Sequence, residues 1–257
     1  MGVLNVTPDS FSDGGRFVER DAAVAHARRM VEEGANLVDL GAESTRPGAR
    51  VISEEEELSR LMPVLEALAE LAIPLSVDTR RPRVMREALA AGASMINDVQ
   101  ALQAAGALEA VAAGDCAVCL MHMRGEPGTM QQNPQYADVV AEVGAFLASR
   151  VAAAQAAGIA RERIAVDPGF GFGKTLAHNL ELLRRLGELT AHGVPLLVGL
   201  SRKSMLGAIT GRPEADRLAP SIAAALLAAQ RGAKILRVHD VKETREALAV
   251  WQALSSA

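Results

Sequence analysis

Leu37-Val38-Asp39-Leu40, an amphipathic stretch from Glu54 to Leu71, and then Leu75-Ser76-Val77-Asp78 form the segment that decides the fold. The two short runs are apolar towards both faces, as strands are when helices cover both sides of a parallel sheet. The stretch between them carries the helical period. The same alternation extends in both directions. Val3-Leu4-Asn5 and a helical stretch from Asp21 to Glu33 precede it. Met95-Ile96-Asn97-Asp98, Ala117-Val118-Cys119-Leu120, Ile164-Ala165-Val166-Asp167, Leu196-Leu197-Val198-Gly199 and Ile235-Leu236-Arg237-Val238-His239 follow, with helical stretches from Tyr136 to Ala157 and from Asp216 to Arg231. Gly34, Gly92, Gly158, Gly193 and Gly232 stand where helices should end in a left-handed residue. Eight βα units in 257 residues, with no long linker, predict one closed (β/α)8 TIM barrel over residues 1–257, not two domains.

Composition narrows the function. Apolar residues make up 49% of the chain, enough for a full core, but aromatics only 3%, so Ala, Leu and Val must do most of the packing. The net charge is −4 with acids and bases interspersed, and no basic block predicts nucleic-acid binding. No stretch resembles a signal peptide and no apolar run is expected to span a membrane. Cys116 and Cys119 form a C-x-x-C inside an apolar run. Strand positions three apart face opposite ways, so these thiols should be separately buried, as expected of a reduced, cytoplasmic protein.

Catalytic groups of such barrels sit at the C-terminal ends of the strands. Those ends carry Asn5, Asp78, Asn97, Asp167, Ser201 with Lys203, and Arg237 with His239. A single polar strand end is commonly a cap or turn residue. Several converging on one mouth offer acceptors, amides and cations around one point, which suits a polar heterocycle with an anionic tail. Arg237 and His239, two apart, should share a face as an oxyanion or phosphate site; the alternative is a structural Arg paired with a carboxylate. Gly169-Phe170-Gly171-Phe172-Gly173-Lys174-Thr175 ends like a P-loop, but Pro168 falls where its first glycine belongs. Its glycines instead suit a tight turn close to a ligand. The Pro- and Gly-containing loops Thr7 to Gly15 and Glu43 to Gly48 read either as mobile lids after the first two strands or as ordinary turns. His122 reads as a catalytic group or, preferably, as a loop residue, His26, His178 and His192 as surface groups, and Trp251 as a packing residue.

Together these segments resemble the dihydropteroate synthases. The resemblance is carried by Met1 to Gly15, Gly41 to Gly48, Ser76 to Thr79, Ile96 to Asp98, Met121 to Met123, Asp167 to Lys174, Gly199 to Ser204 and Arg237 to Val241, nearly the whole chain in order. Ala42 stands where that family often has glycine. Members also carry a short segment before the first strand that caps the barrel bottom, and this sequence is expected to lack it.

The resemblance implies a transferase that joins a pterin diphosphate to 4-aminobenzoate on the way to folate, with sulfonamides as inhibitors and a homodimer as the assembly. It implies that Asp78, Asn97, Met121, Asp167, Phe172 and Lys203 bind the pterin. Asn5, Thr45, Arg237 and His239 would meet the diphosphate, with Mg2+ bridging Asn5 and phosphate oxygens. Phe11, Thr45, Pro47, Phe172, Ser201 and Lys203 would enclose the aminobenzoate, with Ser201 at a helix start. Asp78, Asp167, Lys203, Arg237 and His239 would be the catalytic set, acting in a dissociative mechanism. Two rivals are a pterin-binding methyltransferase serving a corrinoid protein, which would not need the diphosphate clamp or Ser201-Arg202-Lys203, and a non-catalytic pterin-binding paralogue, expected to have lost such residues.

Overall fold

The computed structural model describes residues 1–6, 16–44 and 50–255. Eight strands pair in chain order: β1 (Gly2–Asn5), β2 (Val38–Gly41), β3 (Leu75–Asp78), β4 (Met95–Asp98), β5 (Ala117–Met121), β6 (Ile164–Asp167), β7 (Leu196–Val198) and β8 (Ala233–Leu236). All pairings are parallel. A bridge between Gly2 and Val238, with the Val3 amide donating to the Val238 carbonyl at 3.0 Å, brings the first strand back to the last and closes the barrel. The expected (β/α)8 barrel is therefore present, and closure pairs the strand backbones with one another.

The outer ring consists of α1 (Arg16–Glu32), α2 (Glu54–Leu68), α3 (Pro82–Ala90), α4 (Ala107–Ala112), α5 (Val139–Ala156), α6 (Leu176–Arg184), α7 (Ser204–Thr210), α8 (Leu218–Gln230) and α9 (Val241–Ser255). Local chemistry sets their starts. Ser53 caps α2 by accepting from the Glu56 amide, Asp138 caps α5 by accepting from Val140 and Ala141, and Thr175 and His178 form a capping box on α6. The five glycines expected after helices all have positive φ.

Alternation along the strands divides the core in two. Leu4, Leu40, Val77, Ile96, Val118, Leu120 and Val166 face outward and pack under the helices. Met95, Cys119, Ala165 and Leu197 face inward and form a small apolar layer inside the barrel, joined by Met1, Leu37, Ala117 and Ile235. Cys116 belongs to the outer core and Cys119 to the inner one; both are free and buried.

Three expectations change. The last strand begins at Ala233 rather than Ile235. A bulge shifts its register between Leu196 and Leu197, and Arg237 to His239 continue past it towards β1. Contrary to the expectation about apolar runs, α5 has the length and hydropathy of a membrane-spanning helix. Its Val139, Val143, Leu147, Val151 and Ala154 form one buried stripe against the barrel, and Glu142, Ser149, Arg150 and Gln155 lie off that stripe, so the composition reflects packing. His26, His178 and His192 are half-buried rather than on the surface; the His178 ring accepts the Thr175 amide.

Candidate active site

The C-terminal ends of the strands surround a cavity of about 640 Å³. Asn5, Asp78, Asn97, Met121 and Asp167 enter it directly from β1, β3, β4, β5 and β6. Phe172, Ser201, Lys203, Arg237 and His239 enter from the segments that follow β6, β7 and β8. The structure thus brings together ten of the expected site residues, while Phe11, Thr45 and Pro47 lie outside the described residues.

At the floor of the cavity, Arg237 is tied to two carboxylates. Its Nε donates to Asp39 Oδ2 at 2.6 Å and its Nη2 to Asp78 Oδ2 at 3.1 Å. Of the two readings from the sequence, the structure shows the pairing with carboxylates, and Arg237 also lines the mouth. Burial alone would lower its pKa, but Asp39 and Asp78 raise it, so it stays a cation. Burial pushes the Asp78 carboxyl up to about 7, opposed by Arg237 and reinforced by Asp39.

This shift has a sign that can be tested. The folded-state pKa lies above the unfolded value, so the folded state holds the proton more tightly. Asp78 then contributes stability at acid pH that is lost as pH rises through about 7. Asp78→Asn removes that dependence. Its melting temperature relative to the parent should move in the variant's favour between about pH 5 and about pH 8. A pH-independent difference in calorimetric scans would place the carboxyl's titration below that window.

Asp167 ends β6 and is 6% exposed. Its Oδ1 accepts the Gly169 amide at 2.7 Å, so the carboxylate is braced by the loop that follows it. Burial raises its pKa, and the Gly169 amide and Lys203 oppose the rise. That loop closes on Lys174, which explains the P-loop-like ending without any nucleotide. Lys174 is 3% exposed, and its Nζ donates to the Gly169 carbonyl at 2.9 Å and the Phe172 carbonyl at 3.0 Å and lies 2.9 Å from His122 Nδ1. The His122 carbonyl lies further off at 3.5 Å, and the His122 ring must be neutral for Nδ1 to accept. Burial, together with the Lys174 and Arg124 cations, pushes His122 down to about 3. Burial likewise lowers Lys174 to about 7. His122 is thus a loop brace, as expected, although a buried one; its ring meets Phe146 edge-on.

The turn after β7 aims Lys203 inward. Arg202 adopts φ 58°, a conformation that favours glycine, and is held there by several contacts. Its amide donates to Ser221 Oγ at 2.9 Å, its carbonyl accepts from Arg217, and its guanidinium pairs with Asp240. Lys203 Nζ then lies 4.2 Å from the centroid of the Phe172 ring. The placement of Ser201 differs from expectation. Helix α7 begins at Ser204, so Ser201 is not at its start. Its Oγ instead accepts the His239 amide at 3.2 Å and lies 3.0 Å from His239 Nδ1, which ties the ends of β7 and β8 together.

Sequence reasoning missed three participants. Asp39 was hidden as one charge within an apolar run, yet its inward position on β2 marked it. Lys174 was absorbed into a glycine pattern. The Glu43 carboxylate, after β2, pairs with both Arg80 at 3.3 Å and Arg81 at 3.0 Å, and Arg81 also pairs with buried Glu57. Only spatial neighbours reveal that this network joins the β2 and β3 ends.

Comparison with known proteins agrees with the geometry. The family described as pterin binding enzyme matches residues 1–239. Dihydropteroate synthase of Escherichia coli (strain K12) is 53% identical over 258 aligned positions, covering 100% of this chain and 92% of that protein. A structure of Xanthomonas albilineans dihydropteroate synthase with 4-aminobenzoic acid superposes with a TM-score of 0.95 at 57% identity, covering 100% of this chain and 93% of that one. A structure of Yersinia pestis dihydropteroate synthase with a sulfonamide drug complex also superposes with a TM-score of 0.95, at 52% identity and with 100% and 94% of the two chains covered. A barrel whose mouth sets buried carboxylates beside Lys203, Arg237 and His239, with likeness of this extent along its length, belongs to the pterin-binding enzyme family, among the dihydropteroate synthases.

Proposed function

We propose that the chain joins (7,8-dihydropterin-6-yl)methyl diphosphate to 4-aminobenzoate by a dissociative route, forming 7,8-dihydropteroate and diphosphate. The reaction is a C–N bond-forming transfer in folate biosynthesis. The observation that carries this reading is that one cavity is lined by the Asp78 and Asp167 carboxylates together with Lys203, Arg237 and His239. The 2-amino-pyrimidinone edge of a pterin presents adjacent N–H donors, which an ionised Asp167 accepts in pairs. Asn97 serves the remaining ring edge with donor and acceptor, while Met121 and Phe172 give apolar contact. Lys203 meets the ring acceptors.

The bond from the exocyclic carbon to the diphosphate oxygen breaks first, and Arg237 and His239 stabilise the departing anion. The pterin ring spreads the resulting cation, which Asp78 and Asp167 favour electrostatically. The arylamine nitrogen then attacks that carbon and loses a proton. Mg2+ is part of the proposal. Among the described residues no cluster of three acidic, histidine or cysteine side chains could hold a metal ion by itself. Asn5 offers one amide oxygen at the mouth, and Mg2+ commonly takes most of its ligands from phosphate and water, so the donor set fits an ion carried with the diphosphate. When bound, it would neutralise charge on the leaving group.

The loops after β1 and β2 are proposed as mobile lids that exclude water, with Phe11, Thr45 and Pro47 around the aminobenzoate. A sulfonamide places a larger group where the substrate has a carboxylate, so it should reach further towards these loops. Phe11→Leu and Pro47→Ser are expected to raise the sulfonamide inhibition constant more than the aminobenzoate Michaelis constant. Parallel shifts in the two constants would remove Phe11 and Pro47 from that pocket. A homodimer through the late helices and a cytoplasmic location complete the proposal. Exposed Leu218, Leu227, Val250 and Leu254 on α8 and α9, and two reduced buried thiols, support them.

The test of the reaction is diphosphate release with and without 4-aminobenzoate, with dihydropteroate followed alongside. Amine-dependent release with matching product supports the synthase. Methyl transfer without diphosphate release would favour the methyltransferase, and pterin binding without turnover the non-catalytic paralogue.

A further inference from the structure

We propose that Asp39, inside the barrel and beneath the mouth, is a positioning residue for the transfer reaction, orienting both the Arg237 guanidinium and the Asn97 amide. The inference rests on the function proposed above. Asp39 is the second residue of β2 and is 0% exposed. Its Oδ1 accepts the Ser76 hydroxyl at 2.6 Å. Its Oδ2 accepts Arg237 Nε at 2.6 Å and, at a long 3.4 Å, Asn97 Nδ2. One carboxylate therefore joins β3, β4 and the segment after β8 at a single point.

An ionised carboxylate can only accept, so Asn97 must turn its Nδ2 towards Asp39 and its Oδ1 elsewhere. Arg237 is constrained in the same way. With Nε on Asp39 and Nη2 on Asp78, Nη1 has no hydrogen bond to any described residue and is the edge the cavity can use. Packing does not explain the charge. The inward positions Met95, Cys119, Ala165 and Leu197 fill the neighbouring barrel interior with apolar atoms. Burying a carboxylate there is costly unless its partners need it.

Removing the charge while keeping the size has two opposite consequences. The one oxygen the variant keeps must serve Ser76, Arg237 and Asn97 in place of two, so the Asn97 amide, whose bond is the longest, is no longer fixed and the ring should bind more weakly. Arg237 loses one of its two counter-charges, so a free anion should bind more tightly. A merely structural role would weaken both ligands together.

The experiment uses the full chain carrying Asp39→Asn, with calorimetric titration of 6-hydroxymethylpterin and, separately, inorganic diphosphate. The expected result is a pterin Kd raised at least about fivefold, a diphosphate Kd lowered at least about threefold and a kcat reduced about tenfold or more. Unchanged affinities, or a parallel loss for both ligands, overturns the proposal. Asp39→Ser, smaller and also uncharged, should shift the two affinities in the same opposite directions. If neither variant folds, the residue serves the fold and the proposal fails. Failure of the parent to form product would instead sink the functional reading, because the two calorimetric shifts do not depend on turnover.

Discussion

Arg237→Ala is expected to destabilise the protein by roughly 3–5 kcal/mol, because it leaves two carboxylates in the barrel mouth without their counter-charge. Asp39 is 0% exposed and the Asp78 side chain 16%, so neither can recover the loss by turning to solvent. The position of Arg237 near the last strand end suggests a narrower outcome, with diphosphate binding weakened and bare pterin binding untouched. The salt bridges argue against that. Asp78, which the proposal places on the pterin ring, is held by the same guanidinium at 3.1 Å, so both ligands should bind more weakly. Urea unfolding at neutral pH, with calorimetry on both ligands, checks the prediction. A stability loss below about 1 kcal/mol would mean that protonation or water already compensates the two carboxylates.

Asp167→Asn should reduce pterin affinity by roughly five- to 150-fold despite an almost unchanged shape, since a mismatched buried polar group costs about 1–3 kcal/mol. The carboxylate is 6% exposed and already uses Oδ1 to accept the Gly169 amide at 2.7 Å. If the amide keeps its oxygen on Gly169, its NH2 group faces the N–H donors of the ring. If it flips, the Gly169 amide loses its acceptor, and the loop that Lys174 holds is disturbed as well. Either way one donor meets another. Lys203 lies on the same cavity, and the loss of Asp167's charge also removes an attraction that opposes burial. Calorimetry with a bare pterin is the measurement, and a Kd within about twofold of the parent would remove Asp167 from ring recognition.

The barrel was legible because its signal is periodic and local. The runs ending at Asp78, Asp98 and Asp167 become strands with those same ends, since a short run that is apolar towards both faces suffices to mark a strand covered on both sides. The last strand was misplaced because its bulge depends on how β7 and β8 meet, which neither run records alone. Convergence of Asn5, Asp78, Asn97 and Asp167 on one cavity followed from the barrel itself, which brings every strand end to one rim. The position of Ser201 did not follow. A helix start three residues later and a partner 38 residues away, His239, are set by how the chain turns at Arg202.

The sequence by itself therefore determined the barrel, its rim of polar strand ends and the family resemblance, because each depends on residue type and short-range spacing. Only the tertiary structure decided which groups pair. Arg237 could have met any anion at the mouth; its link to Asp39 spans 198 residues. Lys174 could have met a phosphate, but it closes its own loop and reaches His122 across 52. Pair energies depend on distance and burial, and both arise only when strands distant in sequence share one interior.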